Sequence, residues 1–450
     1  ETTGISTRYD QFIQLGAIKT DAEFKELDRF EIRCRLLDHI VPAPRALEVT
    51  GISPAQLTDP TLDSYYHAVL KLHQKFTKWG PATFIGYNSI SFDEEIMRQC
   101  FYQNLLPPFL TNTNGNKRAD TLTMVKAIRS LAPGSITFPM NDKGKPVLKL
   151  EQLAPINGFS HENAHDAIAD VEATIFITKL IRGRQPDLYY KLLNLGEKRN
   201  VKNIIENNKV LVLVQYYNGS VVTRLVSPLA TNPTNSSEVL LFDLSFEPTE
   251  YEEQSVDDIT KNFKKTKRPY QRIKLNKQPF LFSLEGLPND ISLPNYDETL
   301  IKSRTQELAL MLKLKVNAAE AMKGLHPTKE GPIELEDQIY DGFPSALDGK
   351  LMNDFHSSSW QERPDIVKKF EDRRYQGLAR RILLAEEPTL LSQDERTAGE
   401  KWLDKRLNDT SGPWKTVEQC ISELDSIDCS TLLGKEIKNY LLSIHGLIRP

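Results

Sequence analysis

Thr83-Phe84-Ile85-Gly86-Tyr87-Asn88-Ser89-Ile90-Ser91-Phe92-Asp93 runs from a short β-like stretch through a polar turn into a helical pattern headed by Asp93-Glu94-Glu95. Acids favour a helix N-terminus because they complement free amides and the helix dipole. The stretch therefore predicts a strand whose carboxyl end delivers Asp93 at a helix start, the place where open α/β sheets bind their ligands. Working outward, β-like runs cover Phe12 to Lys19 and Phe30 to Leu36. Helical spacing covers Thr61 to Lys78, Phe92 to Phe101, Thr121 to Leu131 and Asp166 to Ile181. Alternating strands and helices predict a layered α/β unit over residues 1–182.

The texture then changes twice. After the charged stretch Arg182 to Asn208, β-like runs at Lys209 to Tyr217 and Ser220 to Leu229 flank Asn218-Gly219, a strong hairpin signal, and Glu238 to Leu244 adds a third. A small β-rich domain with barrel-like curvature is expected within residues 183–325. Helix-period positions at Leu300 to Met322, Ile366 to Glu386, Gln393 to Leu407 and Thr416 to Gly446 predict a helical end, with residues 326–450 as the third domain. Gly324 to Pro332 holds two Pro and two Gly and reads as the linker. At 450 residues, several domains are expected from size alone.

No apolar run approaches the ~20 residues of a membrane span. Cys34, Cys100, Cys420 and Cys429 form neither a zinc pattern nor a disulfide framework, which predicts a reducing, cytoplasmic setting. The net charge of −4 does not announce a nucleic-acid binder, so local charge must decide.

Three short segments carry the chemistry: Glu1-Thr2, Asn88 to Asp93, and Asn163-Ala164-His165-Asp166-Ala167-Ile168-Ala169-Asp170. Asp166 reads as the cap of the following helix. Asp170 lies one turn on, among Ala167, Ile168, Ala169 and Val171, where an uncompensated carboxylate is costly and a cation would offset the cost. His165, with an ordinary pKa of ~6.5, suits a general base near neutral pH. Phosphodiester hydrolysis needs an activated water and stabilisation of the departing oxygen, and two divalent ions about 3.5–4 Å apart supply both. Mg²⁺ takes a few carboxylates and completes its shell with water and phosphate oxygens. The three segments are pieces of one possible metal site, with Glu1, Asp93 and Asp170 as candidate ligands of two Mg²⁺ ions, for which Mn²⁺ can substitute, and His165, which alone reads as a surface or core histidine, as the candidate base.

In that order the three segments resemble the motifs of the DEDD exonucleases, His-containing branch. Gln11-Phe12, Ala17 to Asp21, Thr50 to Pro54, Gly86 to Asn88, Phe101 to Asn104, Arg184 to Pro186, Val226 to Ala230 and Gln338 to Phe343 extend the likeness almost end to end, to the exodeoxyribonuclease I family. The resemblance implies a ribonuclease H-like exonuclease domain, an SH3-like β domain and a C-terminal helical domain forming a clamp. It implies processive 3′ to 5′ digestion of single-stranded DNA to 5′-mononucleotides, a role in DNA repair and recombination, and association with single-strand DNA-binding protein. A monomer is expected. The family's first motif is Asp-x-Glu-Thr, whereas the sequence starts at Glu1-Thr2, so an Asp two positions earlier is expected from a longer reading frame. The 450 residues alone are expected to bind metal weakly and turn over little.

Lys261 to Lys277 holds eight basic residues and no acid, interleaved with Phe263 and Tyr270. Backbone contact through Lys264, Lys265 and Arg268 and stacking on Tyr270 would use that mixture, while a merely solvated run is equally compatible. Tyr87 and Phe92 are further stacking candidates, although Phe92 and Phe101 also suit a core. Asn88 and Thr2 lie beside the acids. Thr50-Gly51-Ile52 reads as a loop in which glycine admits close backbone approach. Arg373, Arg374, Arg380 and Arg381 share a helix face that suits either a surface or a DNA channel. Two rival readings remain: a DEDD exoribonuclease, since the acids do not distinguish sugars, and a catalytically impaired single-strand clamp.

Overall fold

A computed structural model describes residues 1–160, 166–217, 220–287, 293, 296–325 and 333–448. The first third alternates as expected. Strands β1 (Gln14–Thr20) and β2 (Glu26–Arg33) form an antiparallel hairpin. Helices α1 (Pro44–Thr50), α2 (Pro54–Leu57) and α3 (Tyr65–Trp79) follow, and α3 lays Val69, Leu72 and Phe76 at helical spacing over β2. Strand β3 (Thr83–Gly86) leads into α4 (Asp93–Gln103), and β4 (Lys117–Asp120) pairs with β3 in parallel before entering α5 (Thr121–Leu131). Helix α6 (Leu150–Ile156) packs on α7 (Ala167–Arg184), which lies across β1.

Gly16 makes the last contact possible. A Cβ there would stand 2.9 Å from the backbone carbon of Ala167 and 3.0 Å from its oxygen, so the first turn of α7 rests directly on β1. Gly16→Val should cost ~1–3 kcal/mol by overpacking and push that turn away. Chemical denaturation checks it; an unchanged midpoint would show that α7 retreats freely.

The charged stretch after Arg182 is helical: α8 (Pro186–Leu195) and α9 (Lys198–Asn207) precede the β unit. That unit is one antiparallel sheet of β5 (Leu211–Tyr217), β6 (Ser220–Thr231), β7 (Glu238–Asp243), β8 (Tyr270–Lys274) and β9 (Leu281–Ser283), ordered β8-β7-β6-β5-β9. Asn218-Gly219 lies outside the described residues, but Tyr217 pairs with Ser220 across it. Pro228 sits at a register shift in β6, where a residue lacking an amide proton fits the ladder. Helices α10 (Val256–Asn262), α11 (Glu298–Leu310) and α12 (Leu312–Lys323) pack with the sheet and its loops. The predicted Leu300–Met322 helix is thus two, divided at Met311.

Residues of α5, α7 and α8 and the inner faces of β5–β9 belong to one continuous hydrophobic core, so the first two units are fused. The C-terminal helices α13 (Ala346–Ser357), α14 (Arg363–Val367), α15 (Arg373–Glu386), α16 (Gln393–Asn408), α17 (Val417–Ser422) and α18 (Leu432–Ile448) grip the first unit at two places. Tyr66, Tyr102 and Leu105 enter the core built on α13–α15. Val417, Cys420, Ile437 and Leu441 close over Ile13, Leu47, Ile52 and Leu57. Most of Gly324 to Pro332, the predicted linker, lies outside the described residues.

Candidate active site

The turn Tyr87–Phe92 places Asp93. Asn88 takes a left-handed backbone (φ 65°), which asparagine tolerates, and the chain folds back so that Glu94 N donates to Ser89 O at 2.9 Å. The turn is held from β4: the Asp120 carboxylate accepts from Asn88 N (3.2 Å), Ile90 N (3.1 Å) and Thr123 N (3.0 Å). Asp120 therefore caps α5 and braces the turn at once. Its burial pushes its pKa up, against the pull of those amides. One position on, Glu94 is buried and paired with Arg118 at 2.7 Å and Arg98 at 3.5 Å.

Asp93 keeps its carboxylate open to solvent, unlike these neighbours. It nevertheless stands in the midst of protein, and that crowding raises its pKa; the Glu1 α-ammonium opposes the rise, and Asp120 and Glu94 add to it. Both descriptions hold for an exposed residue whose carboxylate is reached by water on one side and surrounded elsewhere by low-dielectric protein.

Glu1 and Asp170 are both positioned through β1, by different routes. The Glu1 ammonium donates to Gln14 O at 2.7 Å, Ile13 N donates to Glu1 O at 2.9 Å, and Thr2 bridges Phe12, so the chain start is laid along the residues entering β1. Asp170 stands half-exposed in the first turn of α7, the turn seated on Gly16 of the same strand. Asp166 caps that helix, accepting from Ile168 N at 2.9 Å, as the sequence predicts. His165 lies outside the described residues. Among the described residues, no three His, Cys, Asp or Glu side chains converge closely enough to form a metal cage. Asp93, Asp170 and Glu1 are hard oxygen donors of the type Mg²⁺ takes, which binds one or two carboxylates and keeps its waters. The crowded, acid-flanked Asp93 supports the fit, because a cation would relieve it.

Several expected substrate contacts are otherwise engaged. Tyr270 is fully buried in β8, its ring against Phe242, Tyr251 and Phe263 and its hydroxyl donating to Gln254 Oε1 at 2.7 Å, so it is no stacking platform. Thr50 is the buried last residue of α1, not a loop residue, and its hydroxyl donates to Leu47 O; Gly51 is the exposed left-handed cap (φ 67°). The Tyr87 hydroxyl donates to Leu148 O, and Phe92 packs on the core at the start of α4. Thr2 Oγ1 donates to Gly4 O at 2.7 Å. Lys264 and Lys265 are exposed after α10, whereas Arg268 donates to Phe263 O. Of the α15 arginines, Arg374 pairs with Asp372, Arg380 with Glu395 and Arg381 with Glu336, while Arg373 is exposed. The sequence reading missed Asp120, Arg118 and Glu94. Only Asp120 carried a local signal, as an acid immediately before the helix Thr121–Leu131.

Three family models match in succession: Exonuclease over residues 1–178, Exonuclease I SH3-like domain over 197–322 and Exonuclease I C-terminal domain over 333–444. The chain belongs to the exodeoxyribonuclease I family. It is 27% identical over 467 aligned residues to the exodeoxyribonuclease I of Haemophilus influenzae, covering 99% of this chain and 98% of that one. To the Escherichia coli enzyme it is 29% identical, covering 90% and 87%. The crystal structure of E. coli exonuclease I in complex with a dA16 oligonucleotide superimposes with a TM-score of 0.83 at 25% identity, over 100% of this chain and 98% of that one. Similar too are a zinc-bound E. coli exonuclease I–single-stranded DNA complex (TM-score 0.82, 25% identity, 100% and 97% coverage) and an SSB/exonuclease I structure with an inhibitor (0.80, 26%, 99% and 98%). The α/β, SH3-like and helical order read from the sequence is the family's order, and the chain is a nuclease of that family. Among the described residues no helix is long and apolar enough to cross a membrane.

Proposed function

We propose that this protein hydrolyses single-stranded DNA from its 3′ end, releasing 5′-mononucleotides, with two Mg²⁺ ions held at Asp93. The carrying observation is Asp93 itself, a solvent-open carboxylate at a strand's carboxyl end, crowded by protein and flanked by acids. Divalent metal dependence accords with the family and with its zinc-bound member; Mg²⁺ as the working ion, Mn²⁺ as its substitute and the number two come from phosphodiester chemistry. Bound ions would acidify the attacking water and stabilise charge on the leaving 3′ oxygen. Asp93, Asp170 and Glu1 would hold them, and His165 would take the proton from the attacking water. The exposed Lys264 and Lys265 are the candidates for phosphate contact, and Asn88 for contact near the terminal nucleotide. The proposal includes a cytoplasmic monomer and association with single-strand DNA-binding protein, the latter in keeping with the SSB/exonuclease I structure.

The test is release of mononucleotides from 3′-ended single-stranded DNA, duplex DNA and RNA, with and without Mg²⁺, using protein from the complete reading frame. Expected is metal-dependent release from single-stranded DNA far above the other two. Equal release from RNA would sink the DNA assignment.

A further inference from the structure

We infer that Lys277, at the end of the SH3-like domain's basic run, is a positioning residue for Asp93, and that the Lys277–Glu95–Tyr340 joint ties all three domains to the metal-binding turn. This rests on the proposed metal role of Asp93.

The Lys277 ammonium donates to Ile90 O at 2.6 Å and to Glu95 Oε1 at 3.0 Å. These acceptors lie three residues before and two residues after Asp93, so one side chain spans it from both sides. The flanking residues of the same loop are engaged with the same site. Asn276 O accepts from Arg118 Nη2 at 2.6 Å, and Arg118 Nη1 holds Glu94 at 2.7 Å. The buried Gln278 accepts from Asp120 N at 2.8 Å and donates to Leu192 O at 2.9 Å. Three consecutive residues of one domain thus brace the turn, its helix and the backbone of Asp120 beneath it in another. The third domain joins through Tyr340, whose hydroxyl donates to Glu95 Oε2 at 2.9 Å, while Arg98 donates to Glu95 Oε1 at 3.0 Å.

A half-exposed ion pair contributes little to stability. Its effect is geometric. Without Lys277, Ile90 O and Glu95 lose the link that fixes Asp93 between them, and supports of this kind set metal affinity through the ligand they orient.

Lys277→Met keeps the side chain's apolar stem and removes its donors; Tyr340→Phe removes one hydroxyl. Mn²⁺ affinity by electron paramagnetic resonance, melting temperature, single-stranded DNA affinity in EDTA and steady-state exonuclease rates are measured together. Lys277→Met should weaken Mn²⁺ binding about tenfold, leave the melting temperature and EDTA-state DNA affinity unchanged, and recover turnover at high metal. Lys277→Arg should restore most of the affinity. Tyr340→Phe should act in the same direction by a smaller factor, and less than additively with Lys277→Met, since both act through Glu95. Wild-type Mn²⁺ affinity in Lys277→Met overturns the inference. So does weakened DNA binding with metal binding intact, which would make Lys277 a DNA contact, or a metal defect that appears only with a lowered melting temperature and is not rescued by arginine. Wild-type protein whose Mn²⁺ binding is absent or indifferent to Asp93→Asn would instead overturn the metal site itself.

Discussion

Asp93→Asn should abolish turnover while leaving the fold intact, with a loss of at least ~10³-fold in kcat, about 4 kcal/mol of transition-state stabilisation. The substitution is nearly isosteric, and Asp93 makes no side-chain contact that α4 depends on, because Phe92 stands at the cap position and Glu94 and Glu95 complement the dipole. The sign of the stability change separates this reading from simple damage. A carboxyl whose folded pKa is raised is disfavoured as an anion, so at neutral pH it costs the metal-free protein stability. Neutral asparagine removes that cost, and metal-free Asp93→Asn should melt at or above the wild-type temperature. Added Mg²⁺ should raise the melting point of the wild type and not of the variant, since only a ligand bound by the native state stabilises it. His165→Ala is the companion: turnover should fall while Mg²⁺ stabilisation and DNA affinity persist. Unchanged turnover in Asp93→Asn would remove the carboxylate from the mechanism, and unchanged turnover in His165→Ala would remove the base.

The features legible in the sequence are those whose causes are local. Asp93 could be placed because a β-branched run, a polar turn and an acid-headed helix succeed one another within about a dozen residues, and Asp166 because capping is decided within one turn. The basic run Lys261–Lys277 shows where such reading fails. It looks like one patch, yet β8 alternates its faces, so Gln271 and Ile273 turn inward while Arg272 and Lys274 face out, Tyr270 is buried at the strand's start, and Lys274 pairs with Glu238. Lys277, read only as one of eight charges in a run that either meets DNA or is solvated, reaches Glu95 across 182 positions of sequence. Asp120 presents only a helix cap in sequence; its hold on Asn88 and Ile90 depends on β3 and β4 lying side by side. Thr50 misled for a related reason: the glycine after it suggested a loop, whereas Pro44 starts α1 and Gly51 caps it.

Glu336→Gln is expected to have the largest effect on stability, because it unpairs two arginines in the interior. The segment Glu334–Gly342 lies between α4 and α15: Gln99 donates to Glu336 O at 2.9 Å, Tyr102 to Leu335 O at 3.1 Å and Arg374 to Gln338 O at 2.8 Å. At its centre Glu336 meets Arg406 at 2.7 Å and Arg381 at 2.9 Å, with Glu336 and Arg406 only 1% exposed. Arg406 is enclosed by the rings of Tyr9, Trp402 and Trp414, the first from the exonuclease domain and the others from the helical domain. Removing the carboxylate leaves charge without compensation in that enclosure, at a cost of about 3–5 kcal/mol. Burial alone would raise the Glu336 pKa, but Arg381 and Arg406 outweigh it and hold the carboxyl below its ordinary value. A depressed folded pKa means stability that is present above the unfolded pKa and lost as pH falls through the folded one. The wild type should therefore lose stability on acidification below the ordinary carboxylate range by more than Glu336→Gln does, and the two denaturation curves should converge at low pH. A cost under about 1 kcal/mol at neutral pH would mean that Arg381 and Arg406 swing to solvent when unpaired, and that the aromatic enclosure, rather than the ion pairs, fastens the helical domain to the exonuclease domain.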